Sequence, residues 1–122
     1  MKLDMDLVRT LLLEIEKNVD LVIPRADEIK IAGLDESTKD YHLFKMSEGG
    51  LLSLRKMDLN GGGYFLYEIQ LTWDGHQFID QVRKDDFWNK LKAKAISSGA
   101  GLTLLGLKAA IPILITELIK QA

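Results

Sequence analysis

Residues 42–52 read HLFKMSEGGLL, and this stretch decides the fold. Leu43 and Met46 lie one helical turn apart, so they give the helix that ends here an apolar face. The glycine pair that follows ends the helix, because glycine takes the left-handed conformation of a helix C terminus without a Cβ clash. An apolar leucine pair then begins the next element. The stretch therefore predicts a helix that turns directly into a β-strand.

Upstream of this stretch, the pattern predicts two helices separated by a short extended segment. Apolar positions over residues 7–15 form the stripe of an amphipathic helix, with an aspartate before it as N-cap. Pro24 stops any helix, and the period-two alternation of residues 28–31 predicts a short strand. A helix over residues 25–31 is the alternative. Asp35 is the expected N-cap of the helix that ends at the glycine pair.

Downstream, two strand-like runs predict a β-hairpin. They cover residues 51–59 and 64–71, and Asn60-Gly61-Gly62-Gly63 joins them with residues that tolerate the positive φ of a tight turn. The first run changes phase around Arg55-Lys56, which predicts a bulge there. Phe65 and Tyr67 are expected on the same side of the second run as Ile69 and Leu71.

The chain after the hairpin predicts helices and one linker. Thr72 is a natural N-cap for a helix whose apolar positions include Trp73 and Phe78. A further short helix follows, and the only stretch typical of a linker is residues 97–101. We therefore expect one domain over residues 1–98 and an apolar helical segment over residues 99–122.

Composition limits the classes of function. The 122 residues are 47% hydrophobic and have a formal net charge of -2, whereas non-specific nucleic-acid binders usually carry a basic excess. The chain has no cysteine, which excludes disulfides, thiolate metal sites and cysteine nucleophiles. Acidic residues at the N terminus are not those of a secretory signal, so a cytoplasmic protein is expected.

The helix end at residues 42–52 resembles that of the recognition helix in ArsR-like and MarR-like winged-helix repressors, which run H-L-x-x-L-x-x-x-G-L-[VIL]. Leu71, Thr72 and Gly75 resemble the L-T-x-x-G motif that follows the wing in the same class. The resemblance implies an α+β, winged helix-turn-helix-like domain with the hairpin as wing, plus a C-terminal helical extension. One departure is Lys39, which lies where such helices usually place an apolar residue.

A more extensive resemblance is to a family of small uncharacterised bacterial and phage proteins, described as a domain of unknown function. Its D-M-D-L-[VI]-R pattern matches residues 4–9, and its L-T-W-x-G-H-x-F-[IL]-D pattern matches residues 71–80. The resemblance covers about residues 3–95. It implies a phage-related context and no established activity.

The predicted recognition helix and wing supply the candidate site. A helix in the major groove with wing bases on phosphates would make the protein a double-stranded-DNA-binding regulator of phage or mobile-element type. Residues 36–60 contain four basic and four acidic side chains, so their local charge is zero. This neutrality favours the alternative, a module that binds a host protein on the same scaffold. The candidate DNA contacts are Thr38, Tyr41, His42, Lys45, Arg55 and Lys56.

Other groups have ordinary structural explanations. His76 and Asp80 form an i, i+4 pair, but no nucleophile accompanies them, and we expect neither an enzyme nor a metal or other cofactor. A basic cluster over residues 83–94 surrounds Trp88, and we expect a solvated helix face with the indole in the core.

The C-terminal segment is the least ordinary feature. Residues 102–119 are nearly long enough to span a bilayer, but Lys108 and Glu117 lie inside, so a membrane role is not expected. Pro112 predicts either a kink or a break into two helices. The helix is expected to pack on the domain or to pair with its copy in a homodimer. The residues predicted for that pairing are Leu107, Ile111, Leu114 and Leu118.

Overall fold

The computed structural model describes residues 1–121 as a mixed α+β protein, which confirms the predicted class. Within these residues, five α-helices accompany one three-stranded antiparallel sheet and a short 3-10 helix. In chain order the elements are α1 (Met5–Glu16), β1 (Ile23–Arg25), the 3-10 helix (Ala26–Glu28), α2 (Glu36–Glu48), β2 (Leu52–Asp58), β3 (Tyr64–Leu71), α3 (Trp73–Val82), α4 (Asp85–Ser97) and α5 (Leu104–Gln121).

The chain forms two compact units. The first covers Met1–Asp80, and the second begins at Gln81. The division falls inside α3. Each unit has buried apolar side chains of its own, including Leu11 and Leu43 in the first and Leu91 and Leu107 in the second.

The core of the first unit lies between helices α1 and α2 and the sheet. Asp4 caps α1 as predicted, since its carboxylate accepts hydrogen bonds from the backbone amides of Asp6 and Leu7. Asp35 caps α2 in the same way, through the amide of Thr38. The buried faces of the two helices follow the predicted apolar stripes.

The strand order in the sheet is β1-β3-β2. The predicted strand over residues 28–31 is wrong: the chain pairs earlier, with Ile23 opposite Ile69, and then forms the 3-10 helix. Pro24 is tolerated in β1 because this strand is at the edge of the sheet, where a missing N–H breaks no ladder. Ile29 still packs in the core, without strand pairing.

The predicted bulge exists, but on the other strand. Between the pairs Ser53–Gln70 and Arg55–Tyr67, β3 contains one more residue than β2. Glu68 has a φ of 54°, a left-handed conformation that non-glycine residues rarely adopt. The bulge reverses the alternation, so the buried residues of β3 are Leu66 and Ile69.

The L-T-x-x-G motif joins the hairpin to α3. The Thr72 hydroxyl donates to the Gly50 carbonyl at 2.5 Å and accepts from the Gly75 amide at 3.0 Å. The Thr72 amide donates to the Leu51 carbonyl at 3.2 Å. A Cβ at Gly75 would overlap the same Leu51 carbonyl, so no larger residue fits. The motif thus fixes where β2 and β3 end against α3.

In the second unit, α4 and α5 pack against each other. Helix α5 is continuous through Pro112, so the chain does not break into two shorter helices there. The ammonium of Lys94 pairs with Glu117 at 2.6 Å, which joins the two helices at their polar edge. Across residues 1–121, none of the helices combines the length and the apolar character needed to cross a lipid bilayer.

Substitution of Gly75 by alanine should destabilise the first unit by about 3 kcal/mol, because the new methyl group meets backbone that has no rotamer to change. Urea unfolding followed by circular dichroism measures the loss. His76→Ala, on the exposed side of the same helix, should change stability by less than about 0.5 kcal/mol. Equal effects of the two variants would contradict the close approach.

Candidate functional site

Two polar side chains of α2 are buried in the core. His42 is 1% exposed: Nδ1 is 2.8 Å from the Thr38 carbonyl, and Nε2 accepts from the Asp4 amide at 2.9 Å. These partners require the neutral ring with its proton on Nδ1. Both ring nitrogens are used within the chain, so His42 is unavailable to DNA. Its role is to tie α2 to the first turn of α1.

Lys39 is the second buried polar side chain. It is 2% exposed, and its ammonium donates to the Ile29 carbonyl at 2.9 Å and pairs with Glu36 at 2.7 Å. The position is thus a core position that is filled by a lysine stem. The Ile29 carbonyl gains a donor that strand pairing would otherwise supply.

The other candidate residues of α2 lie at the surface. The hydroxyl of Thr38 donates to the Asp35 carboxylate at 2.7 Å, as part of the helix cap. Tyr41 is half-buried and donates its hydroxyl to the Met1 carbonyl at 3.2 Å. Lys45 pairs with Glu48 at 2.8 Å, which raises the pKa of the lysine.

The two candidate bases of the hairpin are paired in the same manner. Arg55 lies 3.7 Å from the Glu68 carboxylate, and Lys56 lies 3.3 Å from that of Asp58. Each cation of the candidate set thus has an acid within 4 Å, including Lys45 on the helix. The surface formed by α2 and the hairpin is rich in charge and locally neutral.

Aromatic rings are concentrated on the same two elements. All three tyrosines of the chain and two of its four phenylalanines lie there, half-buried or exposed. Basic side chains lie over the rings: Lys56 is 5.5 Å from the Phe44 centroid and 5.1 Å from that of Tyr64, and Arg55 is 5.5 Å from Tyr67. Because successive side chains of a strand point to opposite faces, Tyr64 lies with Phe44 on the α2 side of the hairpin, and Phe65 and Tyr67 lie on the other side. We call the whole set, which spans both faces of the hairpin, the aromatic surface: Tyr41, Phe44, Tyr64, Phe65 and Tyr67.

A small acidic cavity of about 80 Å³ opens beside Phe65, between the 3-10 helix and α2. Asp27, Glu36 and Asp40 line it, together with Arg25, which pairs with Asp27 at 3.3 Å. One carboxylate oxygen of Asp40 is buried without a hydrogen-bond partner. Burial raises the pKa of Asp40 above its ordinary value of 3.8; Lys39 opposes the rise, while the neighbouring carboxylates add to it.

Comparison with known proteins gives a family. The model of a family described as "Hypothetical protein (DUF2513)" matches residues 2–101. The chain belongs to this family. An "Uncharacterized protein" of Haemophilus influenzae is 29% identical over 128 residues, covering 98% of this chain and 99% of its own. No solved structure matches. The predicted membership of a small uncharacterised family is therefore confirmed.

The two tryptophans are not among the predicted site residues, and their environments differ. Trp73 is 77% exposed, although the sequence placed it among the apolar positions of α3. An indole immediately after a capping threonine is at the start of a helix, where no neighbouring turn covers it. Trp88, in contrast, is buried as expected, and Lys92 lies over its ring at 5.6 Å.

The predicted dimerisation residues do not form a surface. Leu107, Ile111 and Leu114 are at most 5% exposed within a single chain, and Leu118 is half-buried. The apolar stripe that the sequence assigned to a second copy therefore belongs to the interior of the protomer.

Replacement of Lys39 tests how α2 is held. Lys39→Ala leaves a cavity and should cost about 3 kcal/mol, whereas Lys39→Met keeps the stem volume and should cost about 1–2 kcal/mol through the unpaired Ile29 carbonyl. Chemical denaturation gives both values, with Lys17→Met as the exposed control. A Lys39→Met variant as stable as the original chain would contradict a structural role for the ammonium.

Asp40 should make the first unit less stable as pH rises. Its raised pKa means that the folded state binds the proton more tightly, so the unfolding free energy falls as pH increases through the interval above 3.8. Asp40→Asn should therefore be more stable than the original chain at pH 7, with the difference vanishing in acid. Thermal unfolding across this range measures it.

The control for that experiment is Asp35→Asn, which should change the unfolding free energy in the opposite direction. Hydrogen bonds from Thr38 lower the pKa of Asp35, so its contribution is present at neutral pH and is lost as pH falls through the lowered pKa. Asp35→Asn should be less stable at pH 7. A difference between Asp40→Asn and the original chain that stays constant with pH would contradict the burial of an ionised carboxylate.

Proposed function

We propose that the first unit is a non-enzymatic, protein-binding module on a winged-helix-type scaffold. The order helix, strand, short helix, helix, hairpin supports this scaffold, as does the sheet order β1-β3-β2, in which the first strand pairs with the second strand of the hairpin. On such a scaffold α2 corresponds to the recognition helix and the hairpin of β2 and β3 to the wing.

The observation that favours protein binding is the pairing of every cation in the candidate set. Lys45, Arg55 and Lys56 each contact an acid, so contact with a phosphate would require breaking an existing ion pair. Nine basic against fifteen acidic residues also give Met1–Asp80 a formal charge of −6. A phosphate backbone would be repelled by this excess.

The aromatic surface supplies contacts of the kind that protein interfaces use. Tyrosine, phenylalanine, methionine and arginine are enriched at interface cores, and Met57 and Arg55 of β2 lie beside Phe65 and Tyr67. Tyr64 and Met57 are 37% and 46% exposed, so they can be covered by a partner without refolding. The partner class is a host protein with an apolar patch bordered by both signs of charge.

A second candidate is the double-stranded-DNA-binding regulator of phage or mobile-element type. The order of elements favours it, because recognition helices of winged-helix repressors precede the wing in the same way. It would require rearrangement of the ion pairs on α2 and the hairpin. A homodimeric regulator would also need a pairing surface other than the buried α5 stripe.

One experiment distinguishes the candidates. A benzoylphenylalanine in place of Tyr64 should crosslink one protein in nuclease-treated bacterial lysate, and Tyr64→Ala with Tyr67→Ala should weaken its capture about 30-fold or more. Trp73→Ala removes an exposed ring outside the aromatic surface and should leave capture unchanged. Fluorescence anisotropy with mixed duplex DNA at low salt should give a Kd weaker than about 10⁻⁴ M.

Two outcomes would contradict the proposal. Capture that depends on Trp73 and not on the two tyrosines would move the interface away from the aromatic surface. Micromolar, steeply salt-dependent DNA binding that is lost in Lys45→Ala or Lys56→Ala would establish the regulator instead.

A further inference from the structure

Charge changes sign along the chain. From Gln81 onward, seven basic and three acidic residues give a formal charge of +4, against −6 before it. No acidic residue occurs between Asp86 and Glu117, whereas four lysines do. The one acid of α5, Glu117, is paired with Lys94. The second unit is therefore basic over most of its length.

The same unit exposes large aliphatic side chains. Ile96, Leu102 and Leu105 are at or next to the loop between α4 and α5, and Leu105 is 80% exposed. Farther along α5, Ile119 is 69% exposed. Isolated exposed leucines are ordinary, but this many on one short segment mark a surface that contacts something apolar.

Five of the exposed residues of α5 form a stripe opposite its buried face. The spacing of 4, 3, 4 and 3 residues places them within one strip of the helix surface, which we call the outer face of α5. Thr116 lies in it, but its hydroxyl donates to the Pro112 carbonyl at 2.8 Å, so the hydroxyl proton is already used. The outer face comprises Leu105, Ala109, Pro112, Thr116 and Ile119.

Two exposed lysines border the outer face. By helical geometry Lys108 lies along one side of the stripe and Lys120 along the other, and Glu117, which is next to Lys120, is paired with Lys94. Long lysine stems can lie along an apolar surface while their ammonium groups reach outward to charged groups. An apolar strip between cations is complementary to a surface that is apolar inside and anionic at its boundary.

We propose that the second unit docks on the surface of an anionic lipid bilayer through the outer face of α5. The aliphatic side chains enter the boundary between headgroups and acyl chains, and Lys108 and Lys120 contact lipid phosphates. Docking of this type leaves the helix parallel to the bilayer, in agreement with the absence of a spanning helix among residues 1–121. Nucleic acid matches the lysines only, because it offers no apolar contact to the exposed leucine and isoleucine of the outer face.

The test is flotation of the full chain with phosphatidylcholine vesicles, with and without about 30% phosphatidylglycerol. We expect binding only to the anionic vesicles, with a loss when salt is raised. Leu105→Ser with Ile119→Ser should weaken binding by about tenfold or more. Lys108→Gln with Lys120→Gln should weaken it by about fivefold for each charge removed.

Matched controls come from the first unit. Val19→Ser with Leu21→Ser removes two aliphatic side chains that are 97% and 83% exposed, and Lys17→Gln removes an exposed cation. These variants should bind vesicles as the original chain does. Circular dichroism of each variant verifies that the helical content is retained.

Three results would overturn the proposal. The first is no flotation, or equal flotation with neutral vesicles. The second is binding of DNA or RNA that depends on Lys108 and Lys120 but is indifferent to the serine substitutions. The third is a dimer in light scattering that Leu105→Ser dissociates, without vesicle binding, since a second copy would then cover the outer face.

Discussion

The close approach of Gly75 to the Leu51 carbonyl is the constraint on which the first unit depends. At this point the end of α2, the start of β2, the end of β3 and the start of α3 come together. The Thr72 hydroxyl satisfies a carbonyl of one connection and an amide of the other. Because these two chain segments are in backbone contact, the hairpin can move little relative to α2. The aromatic surface therefore has a defined shape.

Helix α2 is held by polar groups as well as by leucine and methionine. Lys39 and His42 each bind a backbone group of a distant segment, the Ile29 carbonyl and the Asp4 amide. Such groups are costly to bury unless their partners are in place, so they specify one seating of the helix more strictly than apolar side chains would. The outward face of α2 is then left with paired charges and aromatic rings.

Local signals in the sequence predicted most of the first unit. The roles of Asp4, Asp35 and the glycine-rich turn can be predicted from the few residues around each, because caps and tight turns depend on local chemistry. Long-range partners were not predictable in this way. The strand expected at residues 28–31 has the right alternation. However, residues 23–25 pair with β3 instead, and the Ile29 carbonyl accepts a hydrogen bond from Lys39.

The candidate site was predicted in part, for related reasons. Residue types predicted Tyr41 and Lys45 on the accessible side of α2, and both side chains are partly exposed. They could not show that His42 is buried, because histidine is compatible with either environment. On α5 the apolar residues lie on all sides, so periodicity alone could not separate the buried stripe from the outer face.

The position of β1 at the sheet edge has a consequence for how the sheet assembles. Strands β2 and β3 are joined by a turn of a few residues. Strand β1, in contrast, pairs with residues far along the sequence, with Arg25 opposite Tyr67. Loop-closure entropy therefore favours the hairpin first and the addition of β1 last. Until β1 arrives, the free edge of β3 is an open template for any extended segment, and the three-residue strand with its central proline is the cover that closes it.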